Sequence, residues 1–471
     1  MFDVKKTVSK HMDGPGGARE LIEIAVPLIV SYSCEMLMLF TDRLFLSRVS
    51  PAHMAAAMGG GLTSFMLVTF VLGVHGYGNA LVAQNFGAGT KERCNIVVSQ
   101  ELIISVLAYP VILACIPLGH KLFVFSGITH NQLTQQVIYF DTIVFGTVIV
   151  MLKSSFTSFF SGIGRTRIIM ITSAITLGAN VLFNYALVFG KFGMPQMGIR
   201  GAAIGTVTAD ALGMLIIIAA YFSRNNRSEF SIMTGWRFDA SVMKELFHRG
   251  YPAGLEMLLN LIAFTSMVTI FHSCGEVVAA AITITFNWDM VSFIPMVGLN
   301  IAVTSLTGRY LGAKDIDSLK RSAYSGLKMA AMYSGTLFIP FLFFTGSLVG
   351  LFLTDASGVN GEQIREMSLF MVRMISLYLF GDAVLIVFSG ALRGVGDTFW
   401  TMMVSVAMHF AFATVSFVML RMLHLDARVA WIAIIAAFFF FGPIMYLRFR
   451  SEKWMKTGAL SDTGFDLVNQ D

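Results

Sequence analysis

Apolar residues run along this chain in long blocks, interrupted by short polar stretches. Twelve blocks approach the ~20 residues that a helix needs to cross a bilayer. They cover 21–46, 57–81, 97–119, 136–160, 168–190, 201–222, 250–272, 279–305, 324–352, 367–390, 399–422 and 429–447. Blocks this long predict an all-α integral membrane protein of about twelve transmembrane helices. The intervening loops alternate in charge. One set holds KKTVSK, GTKER, GRTR, the stretch from SRNNRSEF to KELFHR, GRYLGAKD and RFRSEKWMK; the other holds SRVSPAH, GKFGMPQMGIR, HSCGE and TDASGVNGEQ. Lys and Arg are concentrated roughly threefold in the first set, which the positive-inside rule assigns to the cytoplasm together with both termini.

The chain also repeats itself. ELIEIAVP at 20–27 matches ELFHRGYP at 245–252, AQNFGA at 83–88 matches GRYLGA at 308–313, and FSGIGRT at 160–166 matches FSGALRGVGDT at 388–398. One offset in three ordered pairs predicts two pseudo-symmetric lobes of six helices each. An even number of spans per lobe makes the repeats parallel, a transporter arrangement in which substrate binds between the halves. The predicted layout is a cytoplasmic segment 1–20, an N-lobe 21–222, a cytoplasmic linker 223–248, a C-lobe 249–447 and a cytoplasmic tail 448–471.

Composition sharpens the class. Of 471 residues, 56% are hydrophobic and only 13% charged, with mean hydropathy +0.72, against about 25% charged in soluble domains. The net charge of +5 belongs to cytoplasmic loops and does not imply a nucleic-acid partner. Cys34, Cys94, Cys115 and Cys274 have no metal-ligand spacing and read as free thiols. No cleavable signal is expected, because the polar, basic opening leads into an apolar run long enough to stay in the membrane. The chain shows no Walker motif, HExxH, CxxC or nucleophile elbow, so an enzyme is not expected.

Polar residues inside the spans carry the candidate chemistry. A carboxylate near the bilayer centre costs roughly 2.5–3.5 kcal/mol on insertion scales, so an acid there is a functional candidate. Glu35 and Asp42 lie seven residues apart in the first span, hence about 20° apart on one helix face. Asn180 and Asn184 share a face of the fifth span, and Asp210 falls near mid-depth of the sixth. Crowded carboxylates in low dielectric cannot all ionise, so they take up protons or recruit a cation. The C-lobe offers Glu256 and Asn260, one turn apart, with Asp289 and Asp382. Lys153 aligns by the repeat with Asp382 to within a residue and is a candidate internal counter-ion. Plainer readings stand beside these: Asp42 pairing with Arg43 or Arg48 among headgroups, the asparagines joining helices, and Lys153 snorkelling. His75 is either pH-sensitive or a packing histidine. Pro27, Pro252, Pro295 and Pro340 lie within spans, where kinks are tolerated.

FTDRLF, AQNFGAG, GIGRTR, NYALVFGKFGMPQMGIRGAAIGT, GYPAG, GRYLGA and ALRGVGDT together resemble the multidrug and toxic compound extrusion (MATE) family, in its bacterial NorM-like branch. The resemblance covers roughly residues 18–448. It implies a cation-coupled antiporter exporting organic cations by alternating access, coupled to H+ or Na+ and using no other cofactor or metal. It also implies a multi-pass protein of the bacterial inner membrane, monomeric, with lipid and a small organic cation as partners. Asp42, Asn180 and Asn184 match the family's N-lobe ion-handling positions, and Glu35 and Asp210 add acids where relatives carry amides. Asp382 matches a C-lobe cation ligand, whereas Asn260 stands where relatives carry a Glu; Glu256, one turn earlier, is the candidate substitute. Pro27 matches a hinge. A lipid-linked oligosaccharide flippase of the wider superfamily is the alternative transporter, and a channel or receptor the alternative of another class.

Overall fold

The computed structural model describes residues 14–233, 235–353 and 360–457. Parts of the predicted terminal segments, 1–13 and 458–471, and part of one predicted outer loop, 354–359, lie outside the described residues. All regular structure among the described residues is helical, and twelve helices are long and apolar enough to span a membrane.

The helices come in two series. The first comprises α1 (Ala18–Val49), α2 (Pro51–Gly87), α3 (Lys91–Ala114), the short α4 (Ile116–Phe125), α5 (His130–Gly162), α6 (Thr166–Phe189) and α7 (Gly198–Tyr221). A short α8 (Arg224–Glu229) leads to the second series. That series comprises α9 (Ala240–His272), α10 (Glu276–Gly312), α11 (Ile316–Phe343), the short α12 (Thr345–Gly350), α13 (Gly361–Gly394), α14 (Thr398–Phe417, extended by a π turn to Met422) and α15 (Ala427–Arg450). Helix α16 (Trp454–Thr457) ends the described chain. The series match element by element: α2 and α10 both have 37 residues, and a short helix follows the third member of each. This is the two-lobe, six-plus-six repeat expected from the sequence.

Helix ends differ from the apolar blocks for physical reasons. Ser50 caps α2 and Pro51 opens it, so that helix starts six residues before the apolar block does. The block 97–119 is two helices, because the chain breaks at Cys115 and restarts with Pro117 in the first turn of α4.

The chain forms two compact units, one of residues 26–254 and one of residues up to 25 with those from 255 onward. In the first unit α2 packs along α5, α6 along α7, and α3 against both α2 and α5. Close approach is built in: a Cβ on Gly162 of α5 would sit 2.8 Å from the Asn79 carbonyl of α2. The second unit repeats the device, with α10 along α13 and a Cβ on Gly394 falling 2.6 Å from the Thr304 carbonyl. Backbones this near are how membrane helices gain packing energy without a hydrophobic drive between them. Outward faces carry Leu107, Val111 and Met332, each at least 64% exposed, as a lipid-facing surface requires.

The start of α1 belongs to the second unit and is fastened there. Glu20 accepts from Arg309 at 3.0 Å and from the Tyr310 hydroxyl at 2.5 Å. The same hydroxyl accepts from the Gly16 N–H at 2.8 Å, and Ser325 donates to the Gly16 carbonyl at 3.1 Å. Pro27 lies inside α1, which continues through it as one helix.

Candidate ion-coupling site

Asp42 on α1 is 3% exposed. The Asn184 side-chain amide on α6 donates to its Oδ1, and the Thr206 hydroxyl on α7 donates to its Oδ2 at 2.9 Å. Asn180, one turn before Asn184, donates to Thr206 Oγ1 at 3.1 Å. Three helices thus converge on one carboxylate, and all three sequence-predicted residues meet there. Arg43 and Arg48, the alternative partners, are exposed and make no ion pair with Asp42.

Two further features mark this cluster. Both asparagines are fully buried, yet the amide oxygen of each lacks a hydrogen-bond partner. Buried polar atoms are normally paired, so two bare amide oxygens on residues that converge on Asp42 set this cluster apart. The second feature is steric. A Cβ on Gly205 of α7 would lie 2.0 Å from Asn184 Oδ1, so the glycine of the GIRGAAIGT stretch makes the room that Asn184 occupies.

A second node lies one turn along α7 from Thr206. Lys153 Nζ on α5 meets Asp210 Oδ1 at 2.9 Å, with the side chains 13% and 17% exposed. Glu35, exposed on α1, lies within electrostatic range of both. The predicted internal cation therefore sits among acids, bonded to one of them.

The second unit arranges its candidates differently. Glu256 is buried and pairs with Arg393 at 3.2 Å. Asn260 donates to Ser405 at 2.8 Å, and His409 contacts the Ser405 carbonyl at 2.8 Å. Asp289 and Asp382 feel one another's charge, and Asp382 has no hydrogen-bond partner among the described residues. The four predicted positions thus fall into separate pairings: Glu256 with Arg393, Asn260 with Ser405, and Asp289 beside Asp382. No set of three His, Cys, Asp or Glu among the described residues is placed to hold a metal, and all four cysteines are free.

Sequence reasoning missed Thr206, Arg393 and Glu101. Thr206 precedes Asp210 by four residues on one helix face, a spacing that could have found it. Arg393 stands inside the repeated ALRGVGDT stretch. Glu101 is taken up below.

Two named relatives resemble this chain along nearly its whole length. "Probable multidrug resistance protein NorM" of Thermotoga maritima is 28% identical over 453 residues, covering 94% of each chain. "Probable multidrug resistance protein YoeA" of Bacillus subtilis is 24% identical over 437 residues, covering 92% of this chain and 93% of its own. Among solved structures, a MOP-superfamily transporter from Pyrococcus furiosus superposes with a TM-score of 0.85 at 19% identity, covering 95% of this chain and 98% of its own. An outward-facing multidrug resistance MATE family transporter gives 0.85 at 18% identity, covering 94% and 98%. Those two likenesses speak to fold. A sequence model of the MatE family matches residues 27–186 and 252–418, so the chain belongs to that family, as a multi-pass MATE transporter of the NorM-like branch.

Proposed function

We propose that this transporter exports organic cations in exchange for H+ or Na+ by alternating access, with the coupling ion loaded at Asp42. The observation that carries this reading is the buried Asp42–Asn180–Asn184–Thr206 cluster. Both Asp42 oxygens accept hydrogen bonds, from Asn184 and Thr206, so the carboxylate has partners that stabilise it when it ionises. A proton would displace one donor from Asp42. A sodium ion would draw on the same carboxylate and on the two bare amide oxygens, since hard cations favour oxygen ligands. Export of multiple drugs is suggested by the relatives' names. The basic loops support cytoplasmic termini, and the bacterial relatives suggest a bacterial inner membrane. The 30 Met and 42 Phe suit a promiscuous binding surface for bulky cations.

Purified protein in liposomes tests the reading, with ethidium as substrate and a pH or sodium gradient imposed separately. Asp42→Asn is expected to insert and melt like wild type and to lose gradient-driven transport, because the isostere keeps the packing but not the charge. Wild-type rates in Asp42→Asn would overturn the assignment. The gradient that drives the wild type names the ion.

A further inference from the structure

Glu101 is an acid for which the Asp42 reading has no use. It lies ten residues into α3, about 15 Å from the helix start. It is fully buried, at 0% exposure. We infer that Glu101 is a second proton-exchanging acid of the first unit, holding its proton in this structure and releasing it during transport. This deepens the proposed function and rests on its proton-coupled form.

Hydrogen counting supports the proton. Ser158 Oγ on α5 lies 2.6 Å from Glu101 Oε2 and 2.9 Å from the Ser155 carbonyl. A hydroxyl has one hydrogen to give. If Ser158 gives it to the carbonyl, the hydrogen in the shorter contact is the acid's own, and 2.6 Å suits an O–H···O bond. The other carboxyl oxygen, Oε1, has no partner. It presses on α2 at Gly78, where a Cβ would fall 1.6 Å away. An ionised carboxylate here would have at most one hydroxyl donor and no cation, an arrangement that buried charges do not tolerate.

The charged groups on the surrounding helices are committed elsewhere. Lys153 of α5 is held by Asp210, His120 of α4 by Asp141 at 2.7 Å, and Lys91 of α3 by Glu229. Tyr221 of α7, which also feels Glu101, donates to Asn95. One turn before Gly78 on α2 lies His75, 1% exposed. Ser105 donates to the Glu101 carbonyl at 2.9 Å, so its oxygen receives His75 Nε2–H at 3.4 Å. With Nε2 as the donor, His75 Nδ1 is left without a hydrogen-bond partner. Glu101 and a bare imidazole nitrogen thus stand on adjoining helices, with Ser105 joining His75 Nε2 to the main-chain carbonyl of Glu101. A proton given up by Glu101 has His75 Nδ1, on the neighbouring helix, as its candidate acceptor. Helix packing alone needs no titratable group, since Gln would bond Ser158 equally well.

Infrared difference spectroscopy on the full chain in liposomes, with and without ethidium, reads the protonated carboxyl directly. Wild type is expected to show a protonated-acid band that weakens when ethidium binds. Glu101→Gln is expected to lack that band, still bind ethidium, and lose uptake driven by a pH gradient. A band that persists in Glu101→Gln, or undiminished pH-driven uptake, overturns the inference. Should Glu101→Gln fail to fold, Ser158→Ala removes the acid's one partner. A shifted band supports the assignment and an unmoved band overturns it. Asp42→Asn separates the two readings: its transport reports on the Asp42 site, while persistence of the Glu101 band reports on Glu101.

Discussion

The Lys153–Asp210 pair allows a quantitative test of how this interior tolerates charge. At 2.9 Å and under a fifth exposed on either side, the pair attracts with about 6 kcal/mol at an effective dielectric constant near 20. Desolvation of both groups offsets much of this. What remains large is the cost of breaking the pair from one side, about 3–5 kcal/mol, because a buried charge is left alone. Asp210→Asn is therefore expected to lower Tm by roughly 10 °C, taking about 2–4 °C per kcal/mol for a unit of this size. Lys153→Met is expected to cost more, since Lys153 also neutralises Glu35. The double variant leaves neither partner charged and should recover most of the loss, because a neutral replacement of a buried pair is often tolerated. The assay is thermal unfolding of the purified protein, with the four forms read as a double-mutant cycle. If the double variant falls by the sum of the singles, the groups do not act as a pair and the reasoning fails. If it is stable but does not transport, the pair serves the cycle and not the fold.

Two further outcomes follow from the geometry. Gly205→Ala places a methyl 2.0 Å from Asn184 Oδ1 and must break the bond to Asp42, costing about 1.5–3 kcal/mol; Gly178→Ala on α6, in open space, is the silent control, and equal Tm and transport for the two would refute the fit. Outside the membrane, burial pushes Glu229 up, but hydrogen bonds from Lys91 and Arg165 outweigh it and hold the carboxyl below its ordinary value. A depressed acid stabilises the fold above its unfolded pKa and ceases to as pH falls through its folded value. Acidification below the usual carboxylate range should then loosen α8, seen as faster hydrogen exchange at 224–229. Exchange that ignores pH there, or that keeps its pH dependence in Glu229→Gln, would count against the linkage.

The spans and the repeat were legible because hydropathy records which residues meet lipid, and twelve long blocks leave few alternatives. Helix ends were not, because caps and prolines set them: α3 begins at Lys91, six residues before its apolar block. Glu101, near the start of its apolar block and fully buried, was not among the acids picked out from the sequence. Asn180 and Asn184 were legible by spacing, a local property. Their convergence on Asp42 with Thr206 was not, because residues 142 and 164 positions away in sequence are brought to Asp42 only by packing. The same limit applies to every buried acid here. Hydropathy finds them all alike, as costly exceptions in apolar runs. Tertiary partners then sort them: two donors bond Asp42, Lys153 balances Asp210, Arg393 balances Glu256, and a single hydroxyl meets Glu101. Charge state, and with it the capacity to load an ion, therefore comes from contacts between helices distant in the chain, which is why Asp42 and Glu101 can take opposite roles within one unit.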